Sequence, residues 1–398
     1  MKLRTGTPEE AGMSPERVRH VVDLARGWVQ GGITPALVVL VARRGVIVLH
    51  EAFGRLGPEP DAPPLQRDTI FPLCSISKPI TATAAMILVE EGLLGLNRPV
   101  QWYLPEFVGQ GKEQVCVHHL LTHTSGLRDE DWFAHLEIDR ATVEIPPPAP
   151  TMHPFVHEWL FPAYDMPLWK APGTEMHYCT FNYELLGDIV QRVSGQSLAD
   201  FTRERIFQPL GMADTFWGVP EALKLRLVRR AADEPHADVL TQWKIGETPW
   251  ASAGACSTTL DMAVFGQMFL NRGVYGEVRV LSPASTTAMT CNQIPGISGR
   301  LDEEFFPEAS WGLGWSIHGS NKTLRYAEPL QSPQSFCHGG GGGVMLWVDP
   351  VYELVMAYFS VLSRGGIPAG VSVPEDVVQD LGQRSDLFVN AATAAVVD

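Results

Sequence analysis

Residues 75–78 read Ser75-Ile76-Ser77-Lys78, the one place in the chain where a serine precedes a lysine by three. The run that follows, Thr81 to Glu91, is helix-forming. Side chains at i and i+3 of a helix share a face about one turn apart, so the lysine amine comes within reach of the serine hydroxyl. A hydroxyl is a poor nucleophile near neutral pH unless a base stands beside it, and a desolvated lysine is such a base. A lysine at its ordinary pKa of about 10.4 would be protonated and idle. A catalytic reading therefore demands that apolar walls or a nearby positive dipole lower the pKa of Lys78. The structural alternative is a first-turn serine and a solvated lysine. Pro79 suits both, because first-turn amide hydrogens have no intrahelical partner.

Working outward, Ser14-Pro15-Glu16 reads as a helix N-cap, a first-turn proline and an acidic first turn, followed by Val18, Val21, Val22, Ala25 and Val29 at helical spacing. The apolar runs Ala36 to Ala42 and Val46 to Phe53, split by Arg43-Arg44-Gly45, predict a β-hairpin. From Ser75 to about Ser194 the periods are mostly helical, and Asn182 to Val193 and Leu198 to Phe207 are expected helices. Residues 128–172, rich in proline and aromatics, break that pattern; a long loop without secondary structure, forming a wall or lid over a pocket, is the expectation. Strand signals return at Val344 to Val348 and Glu353 to Phe359, around the turn pair Asp349-Pro350, and the stretch from Pro374 reads as helical. Strands at both ends with helices between predict an α/β (α+β) fold: one antiparallel sheet flanked by helices, with an inserted, mainly helical lobe. The expected division is residues 1–74 with 245–398 for the sheet domain and 75–244 for the lobe, its Pro/aromatic loop at 128–172.

The chain has 398 residues, 45% of them apolar, enough for a substantial core. Its formal charge of −15 repels nucleic-acid phosphates and anionic lipid alike, and no Lys/Arg block offers a local exception. No run approaches a membrane span and the start lacks an apolar signal core, so a cytoplasmic protein is expected. The six cysteines form no CxxC pair; reduced, small packing residues are expected.

Four segments together carry a family resemblance. They are Ser75-Ile76-Ser77-Lys78; His119-Leu120-Leu121-Thr122-His123-Thr124-Ser125-Gly126-Leu127; Pro172-Gly173-Thr174-Glu175-Met176-His177-Tyr178 with Asn182-Tyr183-Glu184-Leu185-Leu186-Gly187; and His338-Gly339-Gly340 leading into Trp347-Val348-Asp349-Pro350. In order and spacing they resemble the serine β-lactamase and penicillin-binding-protein superfamily over roughly residues 8 to 360, and most of all its class C-related branch with the family VIII carboxylesterases. The resemblance implies a β-lactamase/DD-peptidase-like fold with Ser75 as nucleophile, Lys78 as base and Tyr178 as second proton-transfer group. It also implies an oxyanion hole from the amides of Ser75 and Gly341. Tyr178 taken alone reads rather as a core aromatic with a bonded hydroxyl, and the resemblance is what turns it toward catalysis.

Two departures from the family pattern shape the expected substrate. The usual Tyr-x-Asn is Tyr178-Cys179-Thr180, so the amide that contacts a β-lactam side chain is missing and Thr180 offers a hydroxyl. The usual Lys-Thr-Gly is His338-Gly339-Gly340; a largely neutral histidine replaces a fixed cation, which favours uncharged esters over penicillin-like acids. Substrate contacts are expected from His338, Gly339, Gly340, Thr180 and Trp169. A His-Gly-Gly-Gly run also serves lipases as an oxyanion loop, but there it precedes a GxSxG elbow, which this chain lacks. His119 and His123 are spaced like helical metal ligands; the resemblance makes them structural, and no metal or organic cofactor is expected. The reading is a serine carboxylesterase that cleaves short-chain acyl esters, small-molecule substrates, through an acyl-enzyme on Ser75. Its rivals are a β-lactamase, D-amino-acid peptidase or other amide hydrolase, an acyltransferase, and a non-catalytic scaffold.

Overall fold

The computed structural model describes residues 1–139, 144–234, 237–301, 304–320, 328–362 and 384–398. Its main sheet has seven strands in the spatial order Arg4–Thr5, Val46–Gly54, Ala36–Arg43, Leu354–Ser360, Val344–Asp349, Phe336–Gly340 and Ser316–Ile317. All neighbours are antiparallel except the short edge strand Arg4–Thr5, which runs parallel to Val46–Gly54, so the sheet is mixed rather than purely antiparallel. Sequence-distant ends therefore meet at its centre: Ala36–Arg43 pairs with Leu354–Ser360 over seven residue pairs, from Arg43 opposite Leu354 to Leu37 opposite Ser360.

The hairpin turn is Arg44-Gly45, both with positive φ (51° and 76°), the handedness that matches the twist of the flanking strands. At the other hairpin Asp349, fully buried, accepts the amides of Val351 at 3.0 Å and Tyr352 at 3.2 Å, and so builds its own turn. Both faces of the sheet are covered, which is why its central strands read as unbroken apolar runs. Leu37, Val39 and Val41 face one core with Met345, Trp347, Met356 and Tyr358, closed by Val18, Val21 and Trp28 of the Pro15–Gln30 helix and Phe388 of the Ser385–Thr393 helix. Val38, Leu40 and Ala42 face the other core, with Leu346, Val348, Val355, Ala357 and Phe359, beneath the Thr259–Leu270 helix. Burying each such side chain contributes roughly 1.5–3 kcal/mol. The expected helix from Pro374 is Ser385–Thr393; residues 374–383 lie outside the described residues.

The second core continues into the helical part without a break. There the Ser77–Glu90 helix is buried on nearly every side, so it reads as apolar all round rather than amphipathic. It packs on Phe181–Ser194. Residues 128–172 depart from the expected structureless loop, since they contain the helices Asp129–Asp139 and Pro154–Leu160. Pro154 occupies the first helical position, where its missing amide costs nothing, so proline there starts a helix instead of breaking one. Four indoles lock this region together. Trp243 lies 5.4 Å from Trp132, 6.0 Å from Trp159 and 5.0 Å from Trp250, ring centre to ring centre. The Trp132 indole N–H donates to the Trp159 carbonyl at 3.2 Å, and that of Trp250 to the Trp243 carbonyl at 2.6 Å.

Candidate active site

Ser75 sits in the tight turn Cys74–Ile76 that feeds the Ser77–Glu90 helix. The turn is strained: Cys74 has φ of +45°, a left-handed conformation that costs a non-glycine residue of order 1 kcal/mol. Neighbouring bonds impose it. The Leu73 amide is held by the Ala255 carbonyl at 2.8 Å, and the Ser77 hydroxyl accepts the Ala255 amide at 3.0 Å. Lys78 lies one turn on and is fully buried; its Nζ donates to Ser75 Oγ at 3.0 Å and to the Ser252 carbonyl at 3.3 Å. Burial lowers the Lys78 amine from 10.5 to about 8, against the opposing charges of Asp129 and Glu184. Ser75 itself is partly exposed. The demand placed on Lys78 by its sequence context is thus met by geometry: a desolvated amine touches an accessible hydroxyl.

Tyr178 reaches the same corner, with Lys78 Nζ 4.9 Å from its ring centre. His123 backs that ring at 4.5 Å and accepts the Cys179 amide on Nδ1 at 3.1 Å. Burial, and next the Lys78 charge, hold His123 well below its ordinary pKa, so it is a neutral spacer that fixes the tyrosine. The residues Cys116, His118 and His119 offer a thiol and two imidazoles within 4.8 Å of one another. His119 Nδ1, however, accepts the Cys116 amide at 3.0 Å, which leaves the proton of the neutral ring on Nε2 and no free lone pair for a metal.

His338, Gly339 and Gly340 end the strand that passes the nucleophile turn. Gly340 is required by that approach, since a Cβ there would stand 2.1 Å from the Leu73 carbonyl oxygen. His338 is buried, with Nδ1 on the Gly339 carbonyl oxygen at 2.8 Å. Burial, with Lys78 adding to it, lowers the ring to about 3, so it is neutral across the physiological range. Ser75 and Gly341 line one cavity of about 890 Å³, together with Cys74, Thr180, Asp129 and an apolar wall that includes Phe133, Leu136, Trp159, Leu240, Trp243 and Ile245. Of the expected substrate contacts Thr180 lines this cavity, while His338, Gly339, Gly340 and Trp169 are not part of its lining; the Trp169 ring packs on His177 at 5.5 Å and carries the cations of Arg128 at 4.7 Å and Lys170 at 4.2 Å. A second cavity, of about 600 Å³, contains none of the expected site residues.

Sequence reasoning did not identify Asp129. Its carboxylate accepts the Thr180 amide on both oxygens at 2.8 Å and the Phe181 amide at 3.1 Å, capping the Phe181–Ser194 helix from another part of the chain. The signal was its position two residues past the Gly126-Leu127 that closes the second family segment.

The mixed sheet, the helical lobe and the Ser75 hydroxyl on a buried Lys78 define the serine-hydrolase fold shared by β-lactamases and penicillin-binding proteins. The chain belongs to the Beta-lactamase family, whose model matches residues 23–366. It is 29% identical over 323 residues to Protein Rv1367c of Mycobacterium tuberculosis, across 74% of this chain and 78% of that one. A Salmonella newport protein, assigned in name to the D-alanyl-D-alanine carboxypeptidases, is 26% identical over 390 residues, 89% of this chain and 84% of its own. Among solved structures a family VIII carboxylesterase superposes with a TM-score of 0.70 at 20% identity, across 96% and 98% of the two chains, a likeness of fold. No helix among the described residues is long and apolar enough to cross a membrane.

Proposed function

We propose that this chain is a serine carboxylesterase acting on uncharged, short-chain acyl esters. The observation that carries the reading is the 3.0 Å contact between the buried Lys78 amine and the hydroxyl of Ser75, a residue that lines a largely apolar cavity. Neutral Lys78 takes the Ser75 proton as Oγ attacks the ester carbonyl. The amides of Ser75 and Gly341 hold the oxyanion of the tetrahedral intermediate. Tyr178 protonates the departing alkoxide and regains that proton from Lys78, so the Ser75 proton leaves with the free alcohol and an acyl-serine remains. Water, deprotonated by the same pair, then releases the acid and restores Ser75.

The charge pattern supports uncharged substrates. His338 stands where a fixed cation would receive a carboxylate, and it is buried and neutral. The cavity carries the Asp129 carboxylate, which repels an anionic acyl group. One observation favours a second reading, amide hydrolysis as in a D-amino-acid peptidase or β-lactamase: the likeness to the Salmonella protein of that name. Against it stand the missing Tyr-x-Asn amide and the neutral His338.

Turnover of p-nitrophenyl butyrate beside nitrocefin, by wild type and Ser75→Ala, tests the proposal. The expected result is ester cleavage far above nitrocefin cleavage, abolished in Ser75→Ala while the variant keeps the wild-type circular dichroism. Nitrocefin as the better substrate would give the chain to the amide hydrolases. A wild-type enzyme that neither turns over ester nor takes a fluorophosphonate label on Ser75 would leave only a scaffold.

A further inference from the structure

A second acidic group borders the Ser75–Lys78 pair, and the reaction described above does not use it. Glu184, on the Phe181–Ser194 helix, is 1% exposed. Its carboxylate accepts the Ser252 amide at 3.0 Å, the Ala251 amide at 3.2 Å and the Ser252 hydroxyl. Among the described residues no cation forms an ion pair with it. The same short segment faces the nucleophile helix. The Ser252 carbonyl receives Lys78 Nζ at 3.3 Å, and the Ala251 carbonyl receives the Thr81 hydroxyl at 2.6 Å. Residues 251–252 are thus clamped between two helices, with Glu184 on one side and Lys78 and Thr81 on the other.

A buried carboxylate is costly to keep, and amide hydrogen bonds are what make it tolerable. Two amide bonds and one hydroxyl bond converge here on a segment whose Ser252 carbonyl meets Lys78. We propose that Glu184 is a positioning residue that fixes the Ser252 carbonyl against the Lys78 amine and sets a negative charge behind it. The proposal rests on the reading of Lys78 as the catalytic base.

Other groups share this environment. Asp129 and Glu184 both favour protonated Lys78, and the thiols of Cys179 and Cys74 act in the same direction. His123 and His338 face the amine as neutral rings. Tyr178 and Tyr183 present their π-faces, centred 4.9 Å and 5.8 Å from Nζ. Burial raises the Glu184 carboxyl to about 7, against the stabilising bonds from Ser252 and Ala251 and the Lys78 charge, so the two groups titrate as a coupled pair. Removing the Glu184 charge lets Lys78 lose its proton at lower pH. A unit charge about 10 Å away, at an effective dielectric constant of about 20, moves a pKa by about one unit.

The test is the pH dependence, from 5.5 to 10, of kcat/KM for p-nitrophenyl butyrate and of fluorophosphonate labelling of Ser75. Wild type is compared with Glu184→Gln, Glu184→Asp and Lys78→Met. Glu184→Gln is expected to move the acid limb of both profiles down by about one pH unit. Glu184→Asp keeps the charge but retracts it by one methylene; it should keep the wild-type limb and lose about tenfold in kcat with little change in KM. An unmoved limb in Glu184→Gln overturns the electrostatic role, and full kcat in Glu184→Asp overturns the positioning role. If Lys78→Met retains the wild-type rate, the base has been misassigned and this proposal falls with it, an outcome distinct from the other two. Should the Glu184 variants not fold, Ser252→Ala removes only the hydroxyl bond to the carboxylate. It should shift the limb the same way by less, and an unchanged profile there overturns the proposal.

Discussion

In the proposed mechanism Lys78 sets activity against stability, and Lys78→Met separates the two. Lowering the amine from 10.5 to about 8 on folding costs about 3 kcal/mol whenever the group is charged in both states. Between pH 8 and 10.5 the native protein binds fewer protons at Lys78 than the unfolded chain does. The penalty is therefore complete below pH 8 and disappears as pH rises through 10.5. Methionine fills the same space without a charge. It gives up the bonds to Ser75 and Ser252, which offsets about 1 kcal/mol. Lys78→Met should thus be about 2 kcal/mol more stable than wild type at pH 7 and about equal or slightly less stable near pH 10.5, while its ester cleavage is lost. Urea unfolding of both proteins at pH 7, 8.5 and 10 measures the difference, and the subtraction cancels the titrating groups that do not interact with Lys78. A Lys78→Met protein less stable than wild type at every pH would refute the picture of a costly buried cation. So would an advantage that does not change with pH.

Three further outcomes follow from the cavity and its frame. Gly340→Ala would drive a methyl group to 2.1 Å from the Leu73 carbonyl; displacing the strand beside Ser75 should cost about 2 kcal/mol in chemical unfolding and about 100-fold in kcat. Asp129→Ala strips the Thr180 and Phe181 amides of their acceptor and should lower unfolding stability by about 1–2 kcal/mol, read from the shift in urea midpoint. Ile245→Trp narrows the apolar wall and should raise KM for p-nitrophenyl octanoate about tenfold while leaving the acetate unchanged.

Much of this arrangement could be read from residue order, and the parts that could not share a cause. The Ser75–Lys78 contact spans one helical turn, so its spacing was visible. The hairpin at Arg44-Gly45 and the strands around Asp349-Pro350 are local patterns as well. Asp129 capping Thr180 and Glu184 holding Ser252 join residues 51 and 68 positions apart, and nothing in either segment advertises its partner. Proline density in residues 128–172 suggested a loop because helix-starting and helix-breaking prolines differ only in where the helix begins. Trp169, an expected substrate contact, lies in that aromatic stretch. The stretch supplies the cavity wall through Phe133 and Trp159, while Trp169 serves as a platform for Arg128 and Lys170.

The indoles of residues 132, 159, 243 and 250 have an optical consequence. Chromophores with centres 5.0 to 6.0 Å apart share their excitations, so their near-ultraviolet dichroism belongs to the group rather than to any one ring. Two of them, at 159 and 243, border the space an acyl chain would fill. A colourless ester entering that space changes the polarity at those two and so the signal of all four. Occupancy can then be followed by light absorption alone, with the Ser75→Ala protein holding the filled state still for inspection.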